Sequence, residues 1–404
     1  MRRMLRNTSV TLVCSLLALC VASCGPSKKD PSQRELATRE WNSARANVLG
    51  SLATDQYKSG NLDKARETVR EALKLMPDSA PLHILSAKIA IESGQVELAE
   101  QELRTARERA PNEAEAYYLS GVVYQRWQKP QTAYEFYKQA SARSPAELPY
   151  LLAQAEMLVA MDRMPEAMEL LQAKVTYFEH SGAIRDAVGQ MLMQAGRPKD
   201  AAAMFREASI LSENDLTVRE RLALALYASK EYRDATEVLA RLVQEPTYAK
   251  RADLFAILGD SQLQEGHARE ARQTFETATQ LDAYSVNAWQ CLGRAAMESG
   301  DLKRAEISLN HAIALDRNRA ETHLLIGYLR VRQNRYKDAL AAFQKASTIE
   351  PGDTVTLCMV GYALEKLGRS GEALQFYSRA LKIKPGDEMA SQLMAGVDLH
   401  DQKE

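Results

Sequence analysis

The chain has 404 residues, of which 46% are hydrophobic, 26% charged and 6% aromatic. A chain of this length would divide into separate domains unless it is built of repeats that pack only on their neighbours. Its 52 lysines and arginines are balanced by 53 aspartates and glutamates, for a formal net charge of −1. This balance argues against a nucleic-acid binder, which needs a basic surface to neutralise phosphates.

The amino terminus differs in composition from the rest of the chain. Three arginines precede an apolar run, residues 10–22, that is too short to span a bilayer as a helix. This pattern is typical of a secretory signal peptide, here residues 1–23, which is removed from the mature protein. The signal ends in residues 21–24 (VASC), which resemble the lipobox of bacterial lipoproteins, with valine in place of the usual leucine. The resemblance implies that Cys24 is acylated and becomes the first residue.

The alternative is an ordinary cleaved signal with an incidental cysteine, which the small residues before Cys24 disfavour. Residues 24–32 are polar and rich in turn-forming residues, so we expect a flexible tether, followed by a leading helix at residues 33–45. Several acyl chains on one residue anchor a protein stably to a membrane. In bacterial lipoproteins, an aspartate directly after the lipidated cysteine retains the protein at the inner membrane. This chain has Gly25 there, so the resemblance implies a location at the outer membrane.

An alanine recurs at a nearly constant interval along most of the chain. Successive alanines are 34 residues apart, except for one interval of 36, and they are Ala65, Ala99, Ala133, Ala167, Ala201, Ala235, Ala271, Ala305, Ala339 and Ala373. Twelve residues before each alanine lies another small residue, alanine or glycine, and four residues after it lies a large apolar one. Such a period is typical of a helix–turn–helix solenoid, in which small residues let paired helices approach closely.

These coupled positions resemble the tetratricopeptide repeat. The resemblance is clearest at residues 114–145, where the family's positions are occupied by Tyr117, Gly121, Tyr124, Ala133, Tyr137, Ala140 and Pro145. It covers ten repeats, residues 46–385, and implies an all-α fold, a right-handed α-solenoid superhelix. We expect residues 386–404 to form a polar capping helix and tail. The two extra residues of the longer interval predict a bend near residues 244–251.

Catalytic motifs are not apparent. None of the six histidines forms the pair with a glutamate expected of a zinc-binding helix, and no glycine loop suited to phosphates is present. The body of the chain keeps two cysteines, Cys291 and Cys358, which lie two repeats apart, too far to form a disulfide. The sequence therefore predicts a protein that is not an enzyme and needs no metal or cofactor.

The functional surface of such a fold is its concave side, built by the first helix of each repeat. Aligning those helices predicts a partner-binding groove that contains Tyr57, Ile84, Lys88, Tyr118, Glu156, Asp186, Glu220, Tyr227, Asp260, Arg294, Tyr328 and Tyr362. Other residues expected to face inward are Val122, Leu152, Gln190, Leu224, Leu263, Met297, Leu324 and Val331. Tyrosines and apolar residues dominate both ends, and tyrosine is a good interface anchor.

Four acids, Glu156, Asp186, Glu220 and Asp260, occupy the central repeats, so the groove is expected to favour basic residues of a partner there. The alternative is that half of all the side chains expected to face inward simply pack against the next repeat.

We therefore expect a lipid-anchored protein–protein interaction scaffold in the bacterial envelope, at the outer membrane facing the periplasm. Known lipoproteins with these repeats support pilus assembly, outer-membrane protein insertion or exopolysaccharide export. Ten regular repeats look most like the last group, including exosortase-linked systems. The alternative function is a regulatory adaptor that binds a cell-wall hydrolase or a small ligand in its groove.

Overall fold

The computed structural model of the chain describes residues 31–401, with side chains from residue 33 to residue 397. The signal peptide, Cys24 and most of the tether that the sequence predicts lie outside these residues. The described part of the chain is helical and contains no strand, which confirms the all-α prediction. None of the helices in this part is long and apolar enough to cross a bilayer.

Twenty-one helices follow one another between residues 31 and 401. In chain order they are α1 (Pro31–Lys58), α2 (Leu62–Leu75), α3 (Ala80–Glu92), α4 (Val96–Arg109), α5 (Ala114–Arg126), α6 (Pro130–Arg143), α7 (Leu148–Ala160), α8 (Met164–Val175), α9 (Gly182–Gln194), α10 (Pro198–Leu211), α11 (Leu216–Ala228), α12 (Tyr232–Leu242), α13 (Ala252–Gln264), α14 (Ala268–Leu281), α15 (Val286–Glu298), α16 (Leu302–Leu315), α17 (Ala320–Arg332), α18 (Tyr336–Ile349), α19 (Thr354–Lys366), α20 (Ser370–Ile383) and α21 (Glu388–Asp401).

The chain divides between Leu171 and Gln172 into two compact units, called here the first and the second unit. The boundary falls inside α8, and in the nine repeats other than that of α7 and α8 the two consecutive helices pack against each other as a helix pair. The longer connection at residues 243–251 lies inside the second unit, between α12 and α13. The bend near residues 244–251 stays a prediction.

In each repeat, one residue in the left-handed backbone conformation lies two positions after the end of the first helix. This residue is glycine in six repeats, for example Gly94 with φ of 72°. The turn is closed by the amide of Gln95, which donates to the carbonyl oxygen of Ala90 at 2.8 Å. Glycine adopts this conformation without steric cost, and the bond satisfies a carbonyl at the helix end. These turns reverse the direction of the chain, so that the second helix of a repeat runs back along the first.

The two helices of a repeat meet where a large side chain covers a small residue. An added Cβ at Gly327 would overlap the ring of Phe343, and one at Gly189 would lie 2.6 Å from Cε1 of Phe205. The six glycine repeats pair Gly121 with Tyr137, Gly189 with Phe205, Gly259 with Phe275, Gly293 with Leu309, Gly327 with Phe343 and Gly361 with Tyr377. We call the position of the small residue the first place and that of the large residue the second place. The four repeats with alanine at the first place have Val69, Leu103, Leu171 and Leu239 at the second place.

Size is therefore compensated between the two places. Five of the six glycines face an aromatic ring, whereas every alanine is matched with valine or leucine. All ten large residues at the second place are at most 1% exposed. Because protein interiors are closely packed, the additional methyl group of alanine leaves room only for the smaller partner.

One partly buried ion pair in the first unit makes stability depend on pH. His83 on α3 contacts Glu102 on α4, with 2.5 Å between Nδ1 and Oε2, and its Nε2 lies 2.8 Å from the carbonyl oxygen of Pro77. The hydrogen bond with Glu102 raises the pKa of His83, against the opposing effect of burial. Because the pKa of His83 is higher in the folded state than in the unfolded state, its protonated form stabilises the fold. This stabilisation is fully present below the unfolded pKa, which is about 6.5, and is lost as pH rises through the folded-state pKa.

We expect the variant His83→Gln to lose this part of the pH dependence. The variant should melt at a lower temperature than the unsubstituted protein. This difference in melting temperature should be largest near pH 6 and should become smaller toward pH 9. Thermal unfolding followed by circular dichroism at pH 6 to 9 measures it. A difference in melting temperature that is the same at every pH would contradict the contribution of the His83–Glu102 pair. Glu102→Gln should reproduce the same trend because it removes the other half of the pair.

Candidate functional site

The predicted groove residues all lie on first helices, and most of them retain solvent contact. Glu156 is exposed, and ten of the other eleven are partly exposed. Ile84 is the exception, because its side chain is only 5% exposed and belongs to a buried apolar cluster. Leu263 and Met297 are buried in similar clusters, so the expectation that they face a partner is wrong. Their side chains pack against neighbouring helices instead.

In the first unit, three predicted groove residues meet in one cavity of about 300 Å³. Tyr57 of α1 and Ile84 and Lys88 of α3 line it, and Ile84 forms part of its apolar floor. The ammonium group of Lys88 lies 2.6 Å from the carboxylate of Glu115 at the rim, where both side chains are partly exposed. An apolar floor with a charged rim suits one apolar or aromatic side chain of a bound segment.

Tyrosines continue this surface along α5 and α7. The rings of Tyr118 and Tyr150 are stacked with 4.7 Å between centroids, and Tyr118 also contacts Tyr137 at 5.5 Å. The hydroxyl of Tyr137 donates to Gln125 at 2.6 Å, and the Gln125 amide donates to the exposed Glu156 at 3.2 Å. Burial raises the pKa of Tyr137 and of Tyr150, so both hydroxyls stay protonated at neutral pH. The surface thus combines apolar ring area with polar tips.

In the second unit, the predicted acids are already paired with arginines. Asp186 accepts from Arg221 at 2.8 Å, and Glu220 accepts from Arg251 at 2.9 Å. The acids are the more buried members, with side-chain exposures of 15% for Asp186 and 20% for Glu220. Arg221 and Arg251 are 37% and 42% exposed.

Asp260 has two partners. It accepts from Arg294, and the hydroxyl of Tyr227 donates to it at 2.7 Å. Burial, together with this hydrogen bond, raises the pKa of Tyr227 and keeps it a donor at neutral pH. The side chain of Asp260 is 20% exposed, whereas that of Arg294 is 37% exposed. This arrangement joins α11, α13 and α15 through three predicted groove residues.

These pairs correct the expectation of an acidic centre in the second unit. Each carboxylate is paired with an arginine whose side chain is more exposed than the acid itself. Arg251 is also paired with Asp253, at 2.7 Å, and that acid is 58% exposed. Only one nitrogen of Arg221 and one of Arg294 donates to its acid, which leaves other N–H groups of the planar fork for a further acceptor. Sequence reasoning missed Arg221 and Arg251, although each lies about one repeat after its acid, at 35 and 31 residues.

Two tyrosines lie near the carboxyl end of the second unit. Tyr328 contacts Phe343 edge to face, with centroids 5.6 Å apart, and burial raises its pKa. The ammonium group of Lys366 lies 5.2 Å from the ring of Tyr362. Both rings lie on first helices and are partly exposed.

Reactive groups in the described residues are poorly placed for covalent chemistry. Cys291 and Cys358 are free thiols, and burial raises the pKa of each to about 11. A protonated thiol is a weak nucleophile at neutral pH. Within residues 31–401, no cluster of three or more histidine, cysteine or acidic side chains could hold a metal ion. The geometry described above is suited to binding.

Family models match much of the chain. Residues 56–121 and 192–247 match one tetratricopeptide-repeat model, and residues 114–147 match another. Residues 234–403 match the C-terminal domain of cilia and flagella-associated protein 70. The chain carries tetratricopeptide repeats, as the alanine period predicted. No curated protein matches it in sequence.

The chain is similar to several solved structures, among them the following three. The MamA protein is 20% identical over 42% of this chain and 92% of its own, with a TM-score of 0.38. Yeast Tom70 is 13% identical over 88% of each chain, with a TM-score of 0.43. A thermophilic TPR protein of Thermus thermophilus is 22% identical over 45% of this chain and 98% of its own, with a TM-score of 0.37.

Proposed function

We propose that this protein is a lipid-anchored scaffold of the bacterial envelope that binds protein segments on the inner faces of its first helices. Tetratricopeptide repeats act as protein–protein interaction scaffolds. The observation that carries the proposal is the cavity of the first unit, where residues from three successive first helices surround one apolar floor. An extended or helical segment that anchors a side chain there would run along the neighbouring tyrosines.

The chemistry of the partner segment follows from the side chains that meet it. The first unit favours an apolar or aromatic anchor for the cavity, since interface energy concentrates in such buried anchors. In the second unit, the partly exposed Arg221 and Arg294, each with free N–H groups, favour carboxylates or backbone carbonyls. We therefore propose partner segments that combine apolar anchors with acidic residues, in place of the basic residues first expected.

The envelope location rests on the amino-terminal pattern that ends at Cys24. We propose that the anchored scaffold serves assembly or export at the outer membrane, with exopolysaccharide export favoured over pilus or outer-membrane protein machinery by the number of regular repeats. The lipid anchor would hold the binding surfaces near the membrane-bound components of such a system.

Photo-cross-linking in cells tests the binding surface. We expect a photoreactive phenylalanine analogue at Tyr57 or Tyr118 to form covalent adducts with another protein, because both positions border the inner face. The same analogue at Gln139, which is exposed on the second helix α6, is the matched control. Adducts are identified by mass spectrometry of the cross-linked band. Equal adducts from Tyr57, Tyr118 and Gln139, or none from the first two, would refute binding at this surface.

The anchor is tested in the same cells with labelled palmitate. We expect Cys24→Ser to abolish incorporation of the label and to release the protein from the membrane fraction. Cys20→Ser is the control and should change neither result, because Leu19 before it is larger than a lipobox normally accepts at that place. Retention of the label in Cys24→Ser would remove the lipid anchor from the proposal while leaving the binding surface untouched.

A further inference from the structure

The leading helix α1 carries an apolar stripe that faces solvent. Trp41, Val48 and Leu52 are 68%, 69% and 47% exposed. At 3.6 residues per turn, these three side chains fall within about 40° of one another around the helix. The opposite part of α1 is packed, with Ala46 and Ala53 fully buried. Among the other exposed large apolar side chains of the described residues, Tyr284, at 84%, lies in a turn between two helices.

In later repeats the corresponding positions are covered. Leu82 lies one repeat after Val48 and is 7% exposed. It packs against α1 at Gly50, where an added Cβ would lie 2.9 Å from its Cδ2. Ala116, one repeat further, is fully buried in a cluster with residues of α3 and α4. The residues that correspond to Leu52 are Ser86 and Ser120, which are 8% and 0% exposed. In each case it is the preceding helix pair that supplies the cover.

The same positions are buried in the second unit. Leu254 and Ala288, which occupy the place of Val48 in their repeats, are 0% and 4% exposed. The face of α1 is thus a repeat-packing surface that lacks its preceding helix pair among the described residues. At one of these places, Leu52, it is more apolar than the later repeats, which have Ser86 and Ser120 there. A solenoid needs a polar outer face at its ends for solubility.

We propose that the stripe of α1 binds the α1 stripe of a second copy of this chain, with the two helices antiparallel. The stripe has the three- and four-residue spacing of a helix-pairing seam, with Ala37, Trp41, Ala44, Val48 and Leu52 in succession. A two-fold axis between residues 44 and 45 places Trp41 opposite Val48 of the other copy and Ala37 opposite its Leu52. Trp41 then faces the smaller Val48, and Leu52 faces the smaller Ala37. At the centre of the seam, Ala44 of each copy lies opposite the exposed Arg45 of the other.

Charge complementarity specifies this register. The same axis places Arg34 of one copy opposite Asp55 of the other, so that an ion pair closes each end of the seam. Both residues are exposed. Within one copy they are 21 residues apart on a single helix, about 31 Å, and cannot contact each other. A parallel pair would instead place each charge opposite its own copy, which costs free energy.

The expected dimer is weak. The seam from residue 37 to residue 52 is about 22 Å long, so it buries less area than the standard interface of about 1,600 Å². It should therefore exchange on the time scale of a transient complex and depend on concentration.

Charge exchange tests the pairing without disturbing the core. We expect Arg34→Asp or Asp55→Arg to weaken the dimer by about 2- to 30-fold, the effect of losing two exposed ion pairs. The double variant Arg34→Asp with Asp55→Arg should restore it, because each new charge meets its opposite across the axis. Sedimentation velocity of the full chain in mild detergent, over a range of concentrations, measures the dissociation constant. A double variant as weak as the single ones would overturn the antiparallel register.

Cysteine cross-linking in intact cells gives a second, independent readout. With a short bis-maleimide, Ala44→Cys should cross-link to itself, and Ala37→Cys should cross-link only to co-expressed Leu52→Cys. Neither Ala37→Cys nor Leu52→Cys should form a homodimer, because like residues are about 22 Å apart along the seam. Asn47→Cys, exposed on another side of α1, and the unsubstituted chain are the controls.

Three results would overturn the proposal. One is a monomer at all concentrations with no cross-link at residue 44. Another is strong self-cross-linking at residues 37 and 52, which is the pattern of a parallel pair. The third is a monomer that binds anionic phospholipid vesicles and loses this binding in Trp41→Glu, which would make the stripe a membrane contact. None of these results bears on the groove, whose cross-linking test stands apart.

Discussion

Replacing Gly327 with alanine should destabilise the second unit by about 1–3 kcal/mol, since overpacking a close helix contact forces side chains and backbone to shift. An added Cβ at this position would overlap the ring of Phe343, which is fully buried. Denaturation by urea, with hydrogen exchange of α17 and α18, measures both the size and the place of the loss. Hydrogen exchange is needed because repeat arrays do not always unfold in one step.

A second substitution should recover most of this loss. In four repeats of the chain, alanine at the first place is matched by valine or leucine at the second. The double variant Gly327→Ala with Phe343→Leu reproduces that combination, so it should be more stable than Gly327→Ala alone. Additive losses in the double variant would show that the two positions are not coupled.

The control for this pair is Gly371→Ala in the first turn of α20. An added Cβ at Gly371 meets no atom within 4 Å, and the backbone there is helical. Alanine should stabilise this position by about 0.4–1 kcal/mol, because it restricts the unfolded chain more than glycine does. The two glycines should thus respond to the same substitution with opposite signs.

Replacing Thr322 with valine should cost about 1–3 kcal/mol, because it leaves a buried amide without its hydrogen-bond partner. The Gln290 side-chain amide on α15 donates to the Thr322 hydroxyl on α17 at 2.6 Å. Gln290 is 2% exposed and Thr322 is fully buried, so water cannot replace the lost acceptor. Valine keeps the shape of threonine, which confines the change to the hydrogen bond.

Removing both polar groups should be less harmful than removing one. Gln290→Leu together with Thr322→Val replaces the pair by apolar side chains of similar volume, and we expect stability near that of the unsubstituted protein. Thr348→Val on the exposed face of α18 is the control and should change stability by less than about 0.5 kcal/mol. Urea denaturation compares the four proteins. A loss in Thr348→Val as large as in Thr322→Val would contradict the hydrogen-bond explanation.

Much of the fold could be predicted because its signals are local. The alanine at a fixed place in each second helix, the small residue twelve positions earlier and the turn glycines all act within one repeat. Gly94, for example, is a glycine because the chain must turn with positive φ there, and neighbouring residues alone impose this. Local constraints of this kind remain readable in a single sequence.

The candidate site was harder to predict because its chemistry depends on pairs from different repeats. The position of Asp260 on a first helix was foreseeable, but its neutralisation by Arg294 was not, since the two are 34 residues apart. The burial of Leu263 and Met297 has the same cause. An inward-facing position and a position that packs on the next repeat differ by a small rotation, which periodicity does not resolve.

The amino-acid sequence by itself determined that this protein is a series of helix pairs with small residues at each contact, because spacing along one helix decides which side chains share a face. Only the tertiary structure decided which ring covers which glycine, which arginine is paired with which acid, and that no other described residue covers the stripe on α1. These facts depend on how far apart and at what angle consecutive helix pairs stack, and that geometry is set by the packing of whole side chains across repeats.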